Sequence, residues 1–276
     1  MPEPGPLRRV ITRIRGADLS VGAAAVAYNS FLALVPLTVA LVGVAAMFGD
    51  DAGAIASVES ALEPIAPDTV VVFITSLMRD AAARVGDSGI VIVVGSALVS
   101  VYLGSRAIVA LQRSLAVVVG EVEVRPPLQL RLVGLALTAL GGVTLAVMSV
   151  SVIAGGALFT FLSGLTGWGW LADVGPWLGL PLAVACVFGF LLAFYLTAAP
   201  RPVPRPYLAT GLAVAGIVAG SLGFGWYLSA APNLGATFGT LGAVAVAMVW
   251  LYLGALSILA GPVAAAALAP ADPIKA

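Results

Sequence analysis

Residues 19–49 read LSVGAAAVAYNSFLALVPLTVALVGVAAMFG, 31 positions without one charged side chain. A helix needs roughly 20 apolar residues to cross the hydrocarbon core of a bilayer, so this stretch is long enough to span it. Four further charge-free runs follow: Ser88–Ser105 with 18 residues, Leu132–Ala172 with 41, Val174–Pro200 with 27 and Pro206–Ala271 with 66. The last is too long for one span, and Ala231, Pro232, Asn233, Leu234 and Gly235 form a turn composition that divides it in two. Barrel strands alternate apolar and polar residues in segments of about ten, whereas these runs are apolar on every side. An all-α integral membrane protein with six transmembrane helices is therefore expected, with spans near 19–48, 88–110, 128–161, 176–199, 207–229 and 238–267. Composition agrees: 61% of the 276 residues are apolar and 9% charged, where a soluble domain carries about 25% charged residues.

Placing the N-terminus in the cytoplasm puts eleven of the thirteen Lys and Arg residues on that side and leaves Arg79 and Arg84 outside. This is the asymmetry of the positive-inside rule for an N-in, C-in chain with an even number of spans. The implied organisation is a basic cytoplasmic arm at 1–18, a single membrane domain at 19–269 and a short cytoplasmic tail at 270–276. The arm reads as an electrostatic anchor to the bilayer rather than a nucleic-acid contact. Between the first two spans, residues 49–87 hold amphipathic stretches at Ala54–Leu62 and Thr69–Ala83, joined through Pro64 and Pro67. The apolar core of the second, Val70–Met78, is too short to cross, so an extracytoplasmic helical hairpin lying on the outer membrane face is expected. The first run is longer than the h-region of a cleavable signal peptide and is expected to stay as an anchor.

The chain has no histidine, and Cys186 is its only cysteine. That excludes an internal disulfide, zinc sites built on His and Cys, and every imidazole-dependent catalytic arrangement. No catalytic residue, metal ligand or cofactor is assigned, and the chain is not expected to be an enzyme. No Asp, Glu, Lys or Arg lies near the middle of a span, which argues against an intramembrane proton relay. Candidates for binding are polar groups of other kinds. Asn29 lies seven residues before Pro36, on nearly the same face, and Pro36 cannot donate to the Leu32 carbonyl. An amide and a freed carbonyl there can bind something polar, or Asn29 can simply bond a neighbouring helix. Arg106, near the inner end of the second span, is placed to snorkel or to hold an anionic group. Phe238, Gly239 and Thr240 are expected to open the last helix and to present its free amides. Gly216, Gly220 and Gly223 read as helix-packing positions, and Trp250 and Tyr252 as donors of interhelical bonds.

The stretch from Ala24 to Leu37, with Ala27, Tyr28 and then Ser30 through Pro36 and Leu37, resembles the first-helix signature of the YihY/BrkB family. Three further blocks are similar to family blocks in the same order: Arg106–Leu115, Phe238–Val244, and Trp250–Leu253. Two departures stand out. Phe238 replaces a usual tyrosine, and Gly261, Pro262, Val263 replaces a usual Gly-Ala-Glu, so a carboxylate common in relatives is missing. The resemblance implies six spans, a multi-pass protein of the plasma (inner) membrane, an association with envelope properties, and no settled molecular activity. The old label ribonuclease BN for such proteins is at odds with a chain that lacks histidine, because a zinc ribonuclease needs clustered His and carboxylate ligands.

Two functions are therefore expected to compete. One is transport, or lipid and envelope-related handling, of a small or amphipathic substrate, with Asn29, Pro36, Arg106 and the Phe238–Thr240 stretch around a cavity. The other is a non-transporting membrane scaffold that binds envelope proteins or a second copy of itself.

Overall fold

The computed structural model describes residues 19–47, 51–63, 66–85, 89–121, 123, 125–153, 164, 170–230 and 233–268. The basic arm and the short tail fall outside the described residues. Eight helices account for nearly all of it: α1 (Leu19–Met47), α2 (Asp51–Leu62), α3 (Asp68–Val85), α4 (Gly89–Val118), α5 (Pro127–Ile153), α6 (Trp170–Ala198), α7 (Pro206–Ala230) and α8 (Asn233–Ala267). No strand occurs among the described residues. Among the described residues five stretches are long and apolar enough to cross a membrane: Leu19–Ala46, Ile90–Val118, Pro127–Leu145, Pro206–Ala230 and Leu241–Ala267. In α6 the described apolar stretch is the shorter Val184–Ala198. Large apolar side chains such as Val91, Leu98, Leu128, Leu222 and Trp226 are exposed along these helices, as lipid-facing surfaces require.

The six long helices touch one another in chain order, α1 to α4, α4 to α5, and so on to α8, and α8 closes against α1. The tightest pair is α1 and α4. A Cβ at Gly22 would collide with Ser114 and one at Gly43 with Val93, so the two backbones approach as closely as the missing side chains allow. Both contacts imply one antiparallel register, which sets Asn29 level with Ala107 and Pro36 level with Ser100.

Two buried clusters fill the ring. The larger lies at the end bearing Leu19, the basic end, and joins Leu19 and Ala23 of α1 to Leu111 and Leu115 of α4, Phe194 and Tyr195 of α6, Ala209 and Ala213 of α7, and Leu259 and Val263 of α8. Val203, in the proline-rich link between α6 and α7, is buried in the same cluster. That link therefore does more than space two helices: its apolar residue is packed while Arg201, Pro202, Pro204 and Arg205 stay exposed. Arg205, in the left-handed region at φ 50°, precedes Pro206 at the first position of α7, where a missing amide costs nothing. At the same end α4 stops in a Schellman turn. Gly120 takes φ 78°, its amide donates to Val117 and that of Glu121 to Ala116, at 3.0 and 2.9 Å.

Pro262 lies inside α8 and has no amide for the Ile258 carbonyl one turn back. The hydroxyl of the fully buried Tyr195 on α6 donates to that carbonyl at 2.5 Å. The donor removed from one helix is thus supplied by another.

The second cluster lies at the opposite end and centres on α3. Val70, Val71, Ile74, Met78 and Ala81 are buried against Val42 of α1 and Val246 of α8. The Phe73 and Phe31 rings stack with centroids 6.1 Å apart. Phe31 lies in the half of α1 nearer Leu19, so the Asp68 end of α3 reaches down to the middle of the bundle. The segment expected to form a hairpin on the outer membrane face thus packs the apolar side of α3 against α1 and α8. The Arg79 to Glu59 pair, 3.6 Å apart and exposed, links α3 to α2.

One correction concerns the last helix. It begins at Asn233, so Phe238, Gly239 and Thr240 come more than a turn inside it, where amides bond carbonyls four residues back. The unbonded amides belong instead to the first residues of the helix, from Asn233. Asn233, part of that turn composition, starts the helix instead.

Candidate functional site

The binding candidates named from the sequence do not converge. Asn29 is buried in α1; its Nδ2 donates to Ala25 O at 2.7 Å, while its Oδ1 is buried without a partner among the described residues. Pro36 is half-buried two turns further along. Arg106 is exposed on α4, on the bundle exterior rather than beside Asn29. The Phe238–Thr240 stretch lies more than a turn inside α8 at the far end, and its side chains lie outside the described residues. Of the packing candidates, Gly216 and Gly220 face α8: a Cβ at the first would meet Ser257 at 3.1 Å, and at the second Leu253 at 3.8 Å. Gly223 faces open space. Trp250 Nε1 donates to Ser221 Oγ of α7 at 3.0 Å, and Tyr252 packs half-buried against the larger cluster.

Gln112 was not singled out from the sequence. It is fully buried on α4, reaches Leu130 O of α5 at 3.4 Å, and leaves its Oε1 unpartnered among the described residues. Lacking a charge or a motif, it looked like one polar residue near the end of a span.

What the structure does assemble is a cleft of about 460 Å³ between the elbow joining α2 to α3 and the outer half of α7. The elbow contributes Glu63, Pro67, Asp68 and Thr69. Its shape is fixed locally: Ala66 N bonds Leu62 O at 2.8 Å, and Val70 N bonds Pro67 O at 2.8 Å. From α7, Ser221, Gly225 and Ser229 line the cleft, spaced every four residues and therefore on one stripe of the helix. Val218, Leu222 and Trp226 form the neighbouring stripe, also line the cleft, and are exposed. Ile217 to Ser229 covers about 18 Å along the helix axis. The result is a long lateral groove lined by both polar and apolar side chains, and its size falls within the roughly 300–1,000 Å³ of small-molecule sites. Carboxylates that the sequence placed in an outer loop stand instead beside a membrane-length helix. The four-residue Ser-Gly-Ser recurrence was visible in the sequence; what faced it was not.

The basic end carries a second cleft, of about 570 Å³, lined by Val117–Gly120, Arg201, Pro262 and Val263 among others. Around it the loops are fastened by charge. Arg125 makes a two-pronged bond to Glu123, 2.7 and 2.6 Å, and caps the Ala198 carbonyl at the end of α6 at 2.5 Å. Arg201 pairs with Glu121 at 2.9 Å. The hydrogen bond from Arg125 holds the Glu123 carboxyl below the ordinary carboxylate range, against the opposing effect of burial. On the exterior, the Arg131 guanidinium sits 4.2 Å from the centroid of the Tyr102 ring. Among the described residues no three His, Cys, Asp or Glu side chains group as metal ligands do.

Comparison with known proteins gives a consistent picture. The family model described as Virulence factor BrkB matches residues 10–273. A UPF0761 membrane protein of Methylibium petroleiphilum is 28% identical over 276 residues, covering 94% of this chain. The chain spans 61% of that relative's own length. No solved structure matches.

Proposed function

The chain belongs to the BrkB family of membrane proteins, and from that premise we propose that it handles an amphipathic membrane molecule, moving or presenting it through the groove between the elbow and α7. The single observation that carries this is the groove's lining, which sets the polar Ser221, Ser229, Glu63 and Asp68 beside the apolar Val218, Leu222 and Trp226. A polar group placed beside those polar side chains while its tail stays against the apolar ones leaves neither part desolvated without compensation. In this reading α6 is the sixth span, both termini are cytoplasmic, the hairpin end faces outward and the membrane is the plasma (inner) membrane. Eleven basic residues on one side support that orientation. The helices α1, α4, α5, α7 and α8 contain no Asp, Glu or Lys, so handling proceeds without an intramembrane relay of protons. No catalytic step is assigned.

A lipid carrying a diazirine near its glycerol tests the proposal. Crosslinks are expected to concentrate on residues 218–229 and to disappear in Gly225→Leu, whose side chain fills the groove. Leu98, equally lipid-exposed on α4, serves as the control. Labelling spread evenly over both helices would refute it and favour the non-transporting scaffold.

A further inference from the structure

We propose that the polar group recognised in the groove is a primary ammonium, so that the occupant is an amine-headgroup lipid; this rests on the groove being a lipid site at all. Glu63 and Asp68 both line the groove, and no residue that lines it is basic. The Arg79 side chain on the same hairpin is directed to Glu59 instead. An occupant therefore meets two negative charges with no counter-charge from the lining, which favours a cation and disfavours an anionic headgroup.

Hydrogen bonding then discriminates between cations. A primary ammonium has three N–H donors, as on a lysine side chain. The groove lining offers acceptors of the matching kind, carboxylate oxygens from Glu63 and Asp68 and hydroxyl oxygens from Thr69 and Ser229. Charge-assisted bonds of this kind are the stronger class. A trimethylammonium headgroup has the same charge and no donor, and leaves those oxygens unpaired. Discrimination against it is expected because a site built to bond a donor rejects the analogue that lacks one. The tail lies against Val218 and Leu222, continuous with the lipid-exposed face of α7.

The test uses the full chain in detergent micelles, offered equal concentrations of phosphatidylethanolamine, phosphatidylcholine and phosphatidylglycerol of one chain length, with retained lipid read by native mass spectrometry. Retention of the ethanolamine lipid is expected to exceed that of the other two by roughly tenfold. The Glu63→Gln, Asp68→Asn double variant, altered at two exposed positions, is expected to lose that preference and retain the three lipids equally. Gly225→Leu is expected to lose all three. A Cβ at Gly225 meets nothing within 4 Å, so this variant is expected to fold, which its thermal transition checks.

Equal retention of the three lipids by the unaltered chain, lost in Gly225→Leu, would overturn the ammonium assignment and leave the groove standing. A preference for phosphatidylglycerol, or an ethanolamine preference that survives the double variant, would overturn it as well. Retention indifferent to Gly225→Leu would overturn both the assignment and the groove.

Discussion

Removing the Tyr195 hydroxyl should cost stability only while residue 262 is proline. In the native chain the Ile258 carbonyl has lost its helical donor to Pro262 and accepts from Tyr195 at 2.5 Å. Both flanks are closed: Tyr195 is fully buried, and a Cβ at the adjoining Gly261 would lie 2.5 Å from the Ala209 carbonyl and 3.1 Å from the Tyr195 hydroxyl. Water has no room to replace the donor. Tyr195→Phe therefore orphans a buried carbonyl, a loss of about 1–3 kcal/mol by general measure. Interhelical bonds measured within membranes average about 0.6 and reach about 1.7 kcal/mol, so about 1–1.7 kcal/mol is the expectation. Pro262→Ala restores an amide to Ile258, and in that background Tyr195→Phe should cost less than about 0.5 kcal/mol. The coupling between the two substitutions is then about 1 kcal/mol, well above the few tenths seen between independent sites. Reversible unfolding in mixed micelles by an ionic-detergent titration measures all four proteins. Equal cost of Tyr195→Phe in both backgrounds would show that the hydroxyl is not standing in for the proline.

Gly216→Leu should destabilise by about 1–3 kcal/mol because the new side chain is forced into Ser257. Gly223→Leu, with open space around it, should be neutral within about 0.5 kcal/mol, and equal effects in detergent unfolding would contradict the α7–α8 contact. Trp250→Phe should lower stability by about 0.6 kcal/mol, and Ser221→Ala should cost nothing further once the indole is gone; additive losses in the same assay would deny the bond. Glu123, ordinarily titrating near 4.5, is lowered by its bond to Arg125. The stability it contributes is therefore full above that ordinary value and falls away as pH drops through the lowered one. Unfolding followed between pH 6 and pH 3 should show a slope that Glu123→Gln removes, and an unchanged slope would place the acid sensitivity elsewhere.

Long charge-free runs made the helices legible, because spanning length is a property of the chain itself. The packing of Gly216 against α8 and the bond from Trp250 were also within reach, since small residues and a buried indole declare what they need. Two things were not legible. Residues 54–83 showed an amphipathic pattern, but amphipathicity says only that one side seeks cover; whether headgroups or α1 and α8 provide it depends on tertiary packing. Equally hidden was the meeting of Glu63 and Asp68 with Ser221 and Ser229, about 150 residues apart in the chain, a separation across which local pattern carries no information. Asn29 and Arg106 were chosen for being polar near a span. Their side chains point in different directions, which the helical register of each decided and their identity did not.

The closure of α8 against α1 sets a timetable for assembly. The face of α1 that Leu259 and Val263 will cover is made early, and its cover, α8, leaves the ribosome only after the intervening helices. At translation rates of about 5–20 residues per second, the roughly 220 residues between Met47 and Ala267 take about 10–40 s to synthesise. For that interval the ring is an open arc, with lipid along the flank of α1 where α8 will lie. A chain truncated before Asn233 should therefore retain its α1–α4 pair, held by glycine contacts that need no later partner, and should be recognised by membrane quality control as an unclosed bundle.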